Sequence, residues 1–185
     1  MARVQLELPE QFFYSTTMQV RYTDINTSGH VGNDQMISLL SSARYSFFQF
    51  LGIGEGNFDD HQLVVTDLVT SYRAESFAED TLRFELGFMD FNKYGGDIIF
   101  RVTKDNNRLV TLAKTGFVFI APDGKVCPSP DDCIKLRPEN MRPGQQPEAR
   151  LRTTRQTRLP HRVQITMASS NALPMCVRQP SSQHY

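Results

Sequence analysis

The longest hydrophobic pattern in the chain begins near Asn33. From there Met36, Leu40, Ala43 and Phe47 recur every three or four residues, a spacing that places apolar side chains on one face of a helix. The stripe is widened by four further apolar residues: Ile37, Leu39, Phe48 and Leu51. The pattern predicts a helix of about five turns that is buried over most of its circumference.

Strand patterns lie on both sides of this helix. Before it, Met18, Val20 and Tyr22 alternate with polar residues, which predicts a first strand over residues 17–23. After it, Gly52, Gly54 and Gly56 supply a stop. Four more runs with strand character follow: residues 63–77, 81–91, 98–103 and 109–120. One strand, a buried helix and four antiparallel strands form an α+β order, with a five-stranded sheet wrapped around the helix.

Composition changes after residue 140. Residues 1–140 carry 13 Lys or Arg against 19 Asp or Glu, whereas residues 141–185 carry seven Arg, one acidic residue and no Lys. The second segment has no sustained apolar period and is expected to be a disordered tail, which leaves residues 1–140 as the folded domain. Clustered arginines attract polyanions, but no Phe is interleaved with them, so we expect no nucleic-acid partner.

Several classes of protein are disfavoured by what the sequence lacks. No run reaches the roughly 18 consecutive apolar residues of a membrane span, and the first residues have no apolar core typical of a secretory signal. The spacings of Cys127, Cys133 and Cys176 match no zinc or redox pattern. We therefore expect a cytoplasmic protein with free thiols, no metal site and no cofactor.

The segment before the helix is the most informative part of the chain. It reads RYTDINTSGHVGN from Arg21 to Asn33 and places the carboxylate of Asp24 a few residues ahead of the helix. The start of a helix has N–H groups without partners and a partial positive charge, both of which polarise a carbonyl group. A carboxylate beside such a helix start suits attack on an acyl carbon.

The longer segment RYTDINTSGHVGNDQMISLLSSAR resembles the signature of the 4-hydroxybenzoyl-CoA thioesterase-like family of hotdog-fold proteins, roughly RYxDxDxxGHVNNxxYLxxFExAR. The matching residues are Arg21, Tyr22, Asp24, Gly29, His30, Val31, Asn33, Ala43 and Arg44. Farther along, Tyr72 and Arg73 followed by Asp80 resemble the family's second-strand pattern. The resemblance covers about residues 17–122 and does not extend into the tail.

The resemblance implies a hotdog fold and hydrolysis of acyl-CoA thioesters to free acid and CoA, in a homodimer or homotetramer with shared active sites. Asp24 would act as a nucleophile or as a general base on water. His30 would position groups at the site, and Asn33 would orient water or substrate or serve as the helix N-cap. Backbone N–H groups around His30, Val31 and Gly32, at the start of the central helix, would form the oxyanion hole.

The remaining predicted binding residues surround this turn. Gly29 and Gly32 would permit close approach of the substrate. Met36 is assigned either to the acyl pocket or to the core, and Tyr72 either to the pocket or to the subunit interface. Arg73 is a candidate for the CoA phosphates. The Phe, Leu and Val residues of the helix and second strand favour a medium- or long-chain acyl group.

Four departures from the family signature bear on particular roles. Asn26, Gly32, Met36 and Ser41 replace Asp, Asn, Tyr and Glu, and the loss of the helix Glu leaves Asp24 as the one well-placed carboxylate. Two alternatives remain open. A hotdog enoyl-CoA hydratase carries D-x-N-P-x-H in this loop, but here His30 falls one position late and the proline is absent. A non-catalytic acyl-thioester-binding protein is the second alternative.

Overall fold

The computed structural model describes residues 4–53, 57–58, 60–105 and 107–130. Within these ranges one helix, α1 (Asn33–Leu51), packs on one face of an antiparallel sheet. The strands are β1 (Tyr14–Gln19), β2 (Asn57–Phe58), β3 (His61–Val65), β4 (Val69–Tyr72), β5 (Thr81–Met89), β6 (Gly95–Lys104), β7 (Arg108–Ile120) and β8 (Val126–Cys127). The predicted tail, Gly54 and Gly56 lie outside the described residues.

The sheet is organised around its longest strand, β7. The strand order is β1-β5-β6-β7-β3-β2, and β4 and β8 also pair with β7. One edge of β7 pairs with β6, while β3 and β4 share its other edge. The predicted α+β order of one strand, one helix and then antiparallel strands is confirmed.

The core lies between α1 and the face of the sheet that it covers, called here the inner face. The helix buries seven apolar residues: Met36, Leu39, Leu40, Ala43, Phe47, Phe48 and Leu51. Phe47 and Phe88 of β5 lie 5.1 Å apart between ring centroids, and Phe117 of β7 lies 5.9 Å from Phe88. Aromatic pairs at such distances add to the stabilisation from burial, so helix and sheet are joined by contiguous rings.

The opposite face of α1 is more polar than the sequence pattern predicts. The hydroxyls of Ser38, Ser42 and Ser46 each donate to the carbonyl oxygen four residues earlier, and Ile37 is 37% exposed. The prediction that most of the circumference is buried is therefore wrong. The predicted helix length and its end at Gly52 are confirmed, with Gly52 in the left-handed conformation at φ 74°.

Two predicted strands have different bounds in the structure. The strand predicted over residues 17–23 is wrong at its end, because β1 stops at Gln19 and Tyr22–Asp24 form a single 3-10 turn. The run at 63–77 is divided into β3 and β4, where the Asp67 carboxylate accepts the N–H of Gly116 at 3.0 Å. This division and the two-residue strands β2 and β8 give eight strands where five are predicted.

Among the described residues, no helix is both long and apolar enough to cross a bilayer.

Candidate functional site

The Asp24 carboxylate is almost completely buried, with 1% of the side chain exposed. Its Oδ1 accepts a hydrogen bond from Nη2 of Arg21 at 2.8 Å, and its Oδ2 accepts from Nε of Arg21 at 3.2 Å. The backbone N–H of Arg21 also donates to Oδ2, at 2.9 Å. The 3-10 turn brings these two residues together three positions apart, so a single residue satisfies both carboxylate oxygens.

This contact fixes the charge state of Asp24. The hydrogen bonds from the Arg21 side chain lower the pKa of Asp24; burial opposes them, and the backbone N–H and the positive charge of Arg21 add to the lowering. The net effect holds the pKa below its ordinary value, so the carboxylate is ionised at neutral pH. The same contact raises the pKa of Arg21.

The loop between Asp24 and α1 is closed by short-range hydrogen bonds. The N–H of Asn26 donates to the carbonyl of His30 at 2.9 Å, and Gly29 turns the chain at φ 83°. The Nδ1 of His30 lies 3.1 Å from the carbonyl oxygen of Val31. With the proton on Nδ1, the ring donates to this carbonyl, an arrangement that fits a positioning role for the imidazole.

Two of the backbone N–H groups predicted to bind the thioester oxygen already donate hydrogen bonds within the protein. The N–H of Val31 donates to the carbonyl of Ser76 at 2.8 Å, and the N–H of Gly32 donates to the carbonyl of Asp24 at 3.1 Å. In this structure both N–H groups therefore already have acceptors within the protein. They join the helix entry to the sheet and to the Asp24 turn.

The first free donors lie one residue later, in α1 itself. Gly32 is the N-cap, without a side-chain cap bond, and Asn33 is the first helical residue, so the alternative prediction of Asn33 as N-cap is wrong. The first intrahelical bond is donated by Met36. Within the described part of the chain, the N–H groups at positions 33–35 meet no acceptor, as is usual for the first turn of a helix.

Gly32 has little room for a side chain. A Cβ atom at this position would lie 2.5 Å from Oδ1 of Asp34, which is closer than non-bonded atoms approach. A side chain at position 32 therefore requires the exposed Asp34 carboxylate to rotate away.

A cavity of about 240 Å³ opens beside the start of α1. Six of the predicted site residues line it: His30, Val31, Asn33, Met36, Tyr72 and Arg73. Its walls are tied together, because the Tyr72 hydroxyl donates to the carbonyl of Asn33 at 3.2 Å. Asp24, Gly29 and Gly32 are not among its lining residues. Six of the nine predicted residues thus meet at one cavity, whereas the Asp24 carboxylate is buried outside its lining.

Two buried hydroxyl residues that are absent from the predicted site also line the cavity. Ser76 and Thr111 line it, and their side chains are 2% and 0% exposed. Neither hydroxyl has a hydrogen-bond partner among the described residues. For Thr111 a signal exists in the sequence, since it is a polar residue at an inward position of an alternating strand. For Ser76, which follows β4 in an irregular segment, no comparable signal exists.

No group of three or more His, Cys, Asp or Glu side chains in the described ranges is arranged to hold a metal ion.

The family of the chain follows from a comparison of its sequence with family models. The model of the thioesterase-like superfamily matches residues 20–137, well over half of the chain and the whole of the site described above. The chain belongs to the thioesterase-like superfamily. This membership supports an enzyme that hydrolyses thioesters.

Solved structures similar to this thioesterase-like protein show the same fold. A 1,4-dihydroxy-2-naphthoyl-CoA thioesterase from Synechocystis is 19% identical, with a TM-score of 0.60, and the match covers 66% of this chain and 93% of that one. A DHNA-CoA thioesterase from Staphylococcus aureus is 18% identical, with a TM-score of 0.55 and coverages of 64% and 80%. A Staphylococcus aureus protein in complex with CoA is 17% identical, with a TM-score of 0.63 and coverages of 78% and 94%. No curated protein is matched by sequence.

The contact between Arg21 and Asp24 predicts a pH-dependent stability for this thioesterase-like protein. Because the folded-state pKa of Asp24 is below its unfolded value of about 3.9, the ionised group stabilises the fold above that pH, and this contribution is lost as the pH falls through the folded-state pKa. Arg21→Gln removes the positive charge. The difference in melting temperature between wild type and Arg21→Gln should therefore be largest above about pH 5 and shrink toward about pH 3.

Thermal melting of both proteins across this pH range measures the effect. Arg83→Gln is the matched control, because Arg83 is half-exposed, lies 3.4 Å from Glu85, and leaves that carboxylate paired with Arg101. A difference between wild type and Arg21→Gln that stays constant with pH would contradict the assigned pKa.

Proposed function

We propose that the chain hydrolyses acyl-CoA thioesters to a free acid and CoA at the cavity beside α1. The observation that carries this proposal is the N–H of Asn33, which has no acceptor among the described residues and belongs to a residue that lines the cavity. A thioester whose carbonyl oxygen faces this N–H would meet the positive end of the helix dipole. The family of the chain supports the same reaction.

In this proposal, the Asn33 N–H takes the role that the sequence assigns to Val31 and Gly32. Negative charge develops on the carbonyl oxygen as the tetrahedral intermediate forms, and a fixed donor stabilises it more than it stabilises the substrate. The Asn33 side chain then has room to orient the attacking water. His30 holds the loop that leads into the helix and supplies no proton.

Asp24 supplies the carboxylate for the reaction. As nucleophile, it attacks the acyl carbon, expels CoA as a thiolate and forms a mixed anhydride that water then cleaves. As general base, it takes a proton from water, the resulting hydroxide displaces CoA, and the proton passes to the thiolate. Both routes need a free carboxylate oxygen at the acyl carbon, so the Asp24 side chain, which is buried and does not line the cavity, has to turn toward it when substrate binds. The Arg21 side chain is 70% exposed, so it loses little packing when it moves away from Asp24.

The proposed substrate combines CoA with a compact acyl group. One similar structure is in complex with CoA, and two others are named as CoA thioesterases. The exposed side chain of Arg73, at the cavity, is our candidate for a CoA phosphate. The cavity volume of about 240 Å³ leads us to propose a compact acyl group, and the medium- or long-chain group favoured by the sequence stays the alternative.

The predicted cytoplasmic location and the predicted homodimer or homotetramer stay predictions. A second copy of the chain beside the cavity would agree with active sites shared between subunits, as the family resemblance implies.

Release of free thiol from a panel of short, long and aromatic acyl-CoAs tests the proposed function. Preferential turnover of compact acyl groups by the purified chain is the expected result. Turnover confined to long chains would contradict the proposed acyl size. Addition of water with the thioester intact would identify a hydratase, and binding of acyl-CoA without turnover would identify a non-catalytic binding protein.

A further inference from the structure

We propose that Ser76 and Thr111 determine acyl specificity by binding an oxygen substituent on the acyl group, such as a hydroxyl or keto oxygen. This inference rests on the proposed function, because it takes the cavity beside α1 as the acyl site. The preferred substrate class is then oxygen-substituted acyl thioesters, in preference to plain alkanoyl thioesters of the same size.

The hydroxyls of Ser76 and Thr111 are buried polar groups at the cavity. Both side chains are more than nine-tenths buried, both line the cavity, and neither hydroxyl has a hydrogen-bond partner in the described ranges. Buried polar groups in folded proteins are nearly always hydrogen-bonded, and an exception needs an explanation. A ligand oxygen in the cavity supplies the missing partner, because each hydroxyl can both donate and accept.

Backbone hydrogen bonds determine where Thr111 and Ser76 lie. Thr111 lies on β7, opposite Tyr72 of β4. Just beyond β4, the N–H groups of Arg73 and Ala74 both donate to the carbonyl of Val110, at 2.7 and 3.2 Å, so the chain leaves regular pairing there. Ser76 follows two residues later, and its carbonyl accepts the N–H of Val31, which lies just before α1. Backbone hydrogen bonds therefore hold both residues at the cavity.

The cavity lining combines polar and charged side chains with an apolar part that suits a small carbon skeleton. Val31, Met36 and Val110 supply apolar surface, and the two hydroxyls are polar groups within it. A substrate methyl group placed against these hydroxyls would leave them unpaired, whereas a substrate oxygen would pair with them. A site built to bind a substrate oxygen discriminates against the analogue that lacks it.

The test compares two acyl-CoAs with the same number of heavy atoms, 3-hydroxybutanoyl-CoA and 3-methylbutanoyl-CoA. Wild type should prefer the hydroxyl compound in kcat/KM by about tenfold, the size of one or two neutral hydrogen bonds. Ser76→Ala and Thr111→Val should each reduce this preference severalfold. Thr115→Val should leave it unchanged, because Thr115 is also buried and unpartnered but is not a lining residue of the cavity.

Stability measurements separate this role from a structural one. Because the Thr111 hydroxyl has no hydrogen-bond partner among the described residues, Thr111→Val should not lower the melting temperature. A lower melting temperature, together with an unchanged substrate preference, would overturn the proposal.

The outcomes also separate this inference from the proposed function. Hydrolysis of both compounds without a preference, or with a preference that Ser76→Ala and Thr111→Val leave intact, overturns the inference while the thioesterase activity stands. Absence of thiol release from every acyl-CoA overturns the proposed function. In that case the equilibrium affinities for the same two compounds decide whether the hydroxyl preference exists without turnover.

Discussion

Replacing Asp24 by Asn is expected to lower kcat for thioester hydrolysis by about 10²–10⁴-fold, the contribution typical of a positioned acid-base group. The amide has nearly the shape of the carboxylate and can still accept the backbone N–H of Arg21, which donates at 2.9 Å in the wild type. It has no negative charge, so it neither attacks a carbonyl carbon nor takes a proton from water. Single-turnover and steady-state thiol release measure the loss.

Asp97→Asn is the matched control for this variant. Asp97 is also paired with a cation, Lys114 at 2.7 Å, but it alternates with the inward-facing residues of β6 and so lies on the sheet face away from α1. Its replacement should leave kcat within about twofold of wild type. A folded Asp24→Asn protein with a rate near that of wild type would show that the carboxylate does not take part in the reaction.

Asn33→Pro is expected to lower kcat by about 10²–10³-fold, the cost of removing one oxyanion donor. Proline has no N–H but is favoured at the first position of a helix. Gly32 has the extended backbone, φ −64° and ψ 150°, that a residue before proline requires. The carbonyl that accepts the Tyr72 hydroxyl also stays in place. The variant therefore removes the proposed donor with little change to the helix.

Asn33→Ala separates the backbone from the side chain at this position. It keeps the N–H and removes only the amide, so the ratio of the two variants' kcat values reports the N–H contribution. Circular dichroism and melting temperature establish that α1 is intact in both. Equal rates for Asn33→Pro and Asn33→Ala would exclude this N–H as the oxyanion donor.

The helix could be predicted from sequence because its signal is local. Apolar residues recur at helical spacing from Met36 onward, and Gly52 supplies the left-handed residue that ends the helix. The division between β3 and β4 could not be predicted in the same way. It depends on Asp67 binding a backbone N–H of β7 that is 49 residues away in the chain, and alternation within one segment contains no such information.

The candidate site was predictable to the extent that one continuous segment forms it. His30, Val31, Asn33 and Met36 lie within seven positions of the sequence and reach the cavity together. The pairing of Asp24 with Arg21 depends on a 3-10 turn that replaces the end of a predicted strand. Likewise, the occupied N–H of Val31 depends on Ser76, which comes from the other side of the cavity. Contacts of this kind follow from the fold and not from a motif.

Gly32 and the side-chain end of Asp34 share one volume at the helix entry, and this couples the two positions. A side chain introduced at position 32 competes with Oδ1 of Asp34 for the same space, so the effect of a substitution at one position depends on the residue at the other. Restoring the family's Asn at position 32 is easier after Asp34 has become smaller than before. Asp34 is exposed, so rotation of its carboxylate into solvent would relieve this contact, and a side chain at position 32 would then change the direction of a negative charge in the first turn of α1.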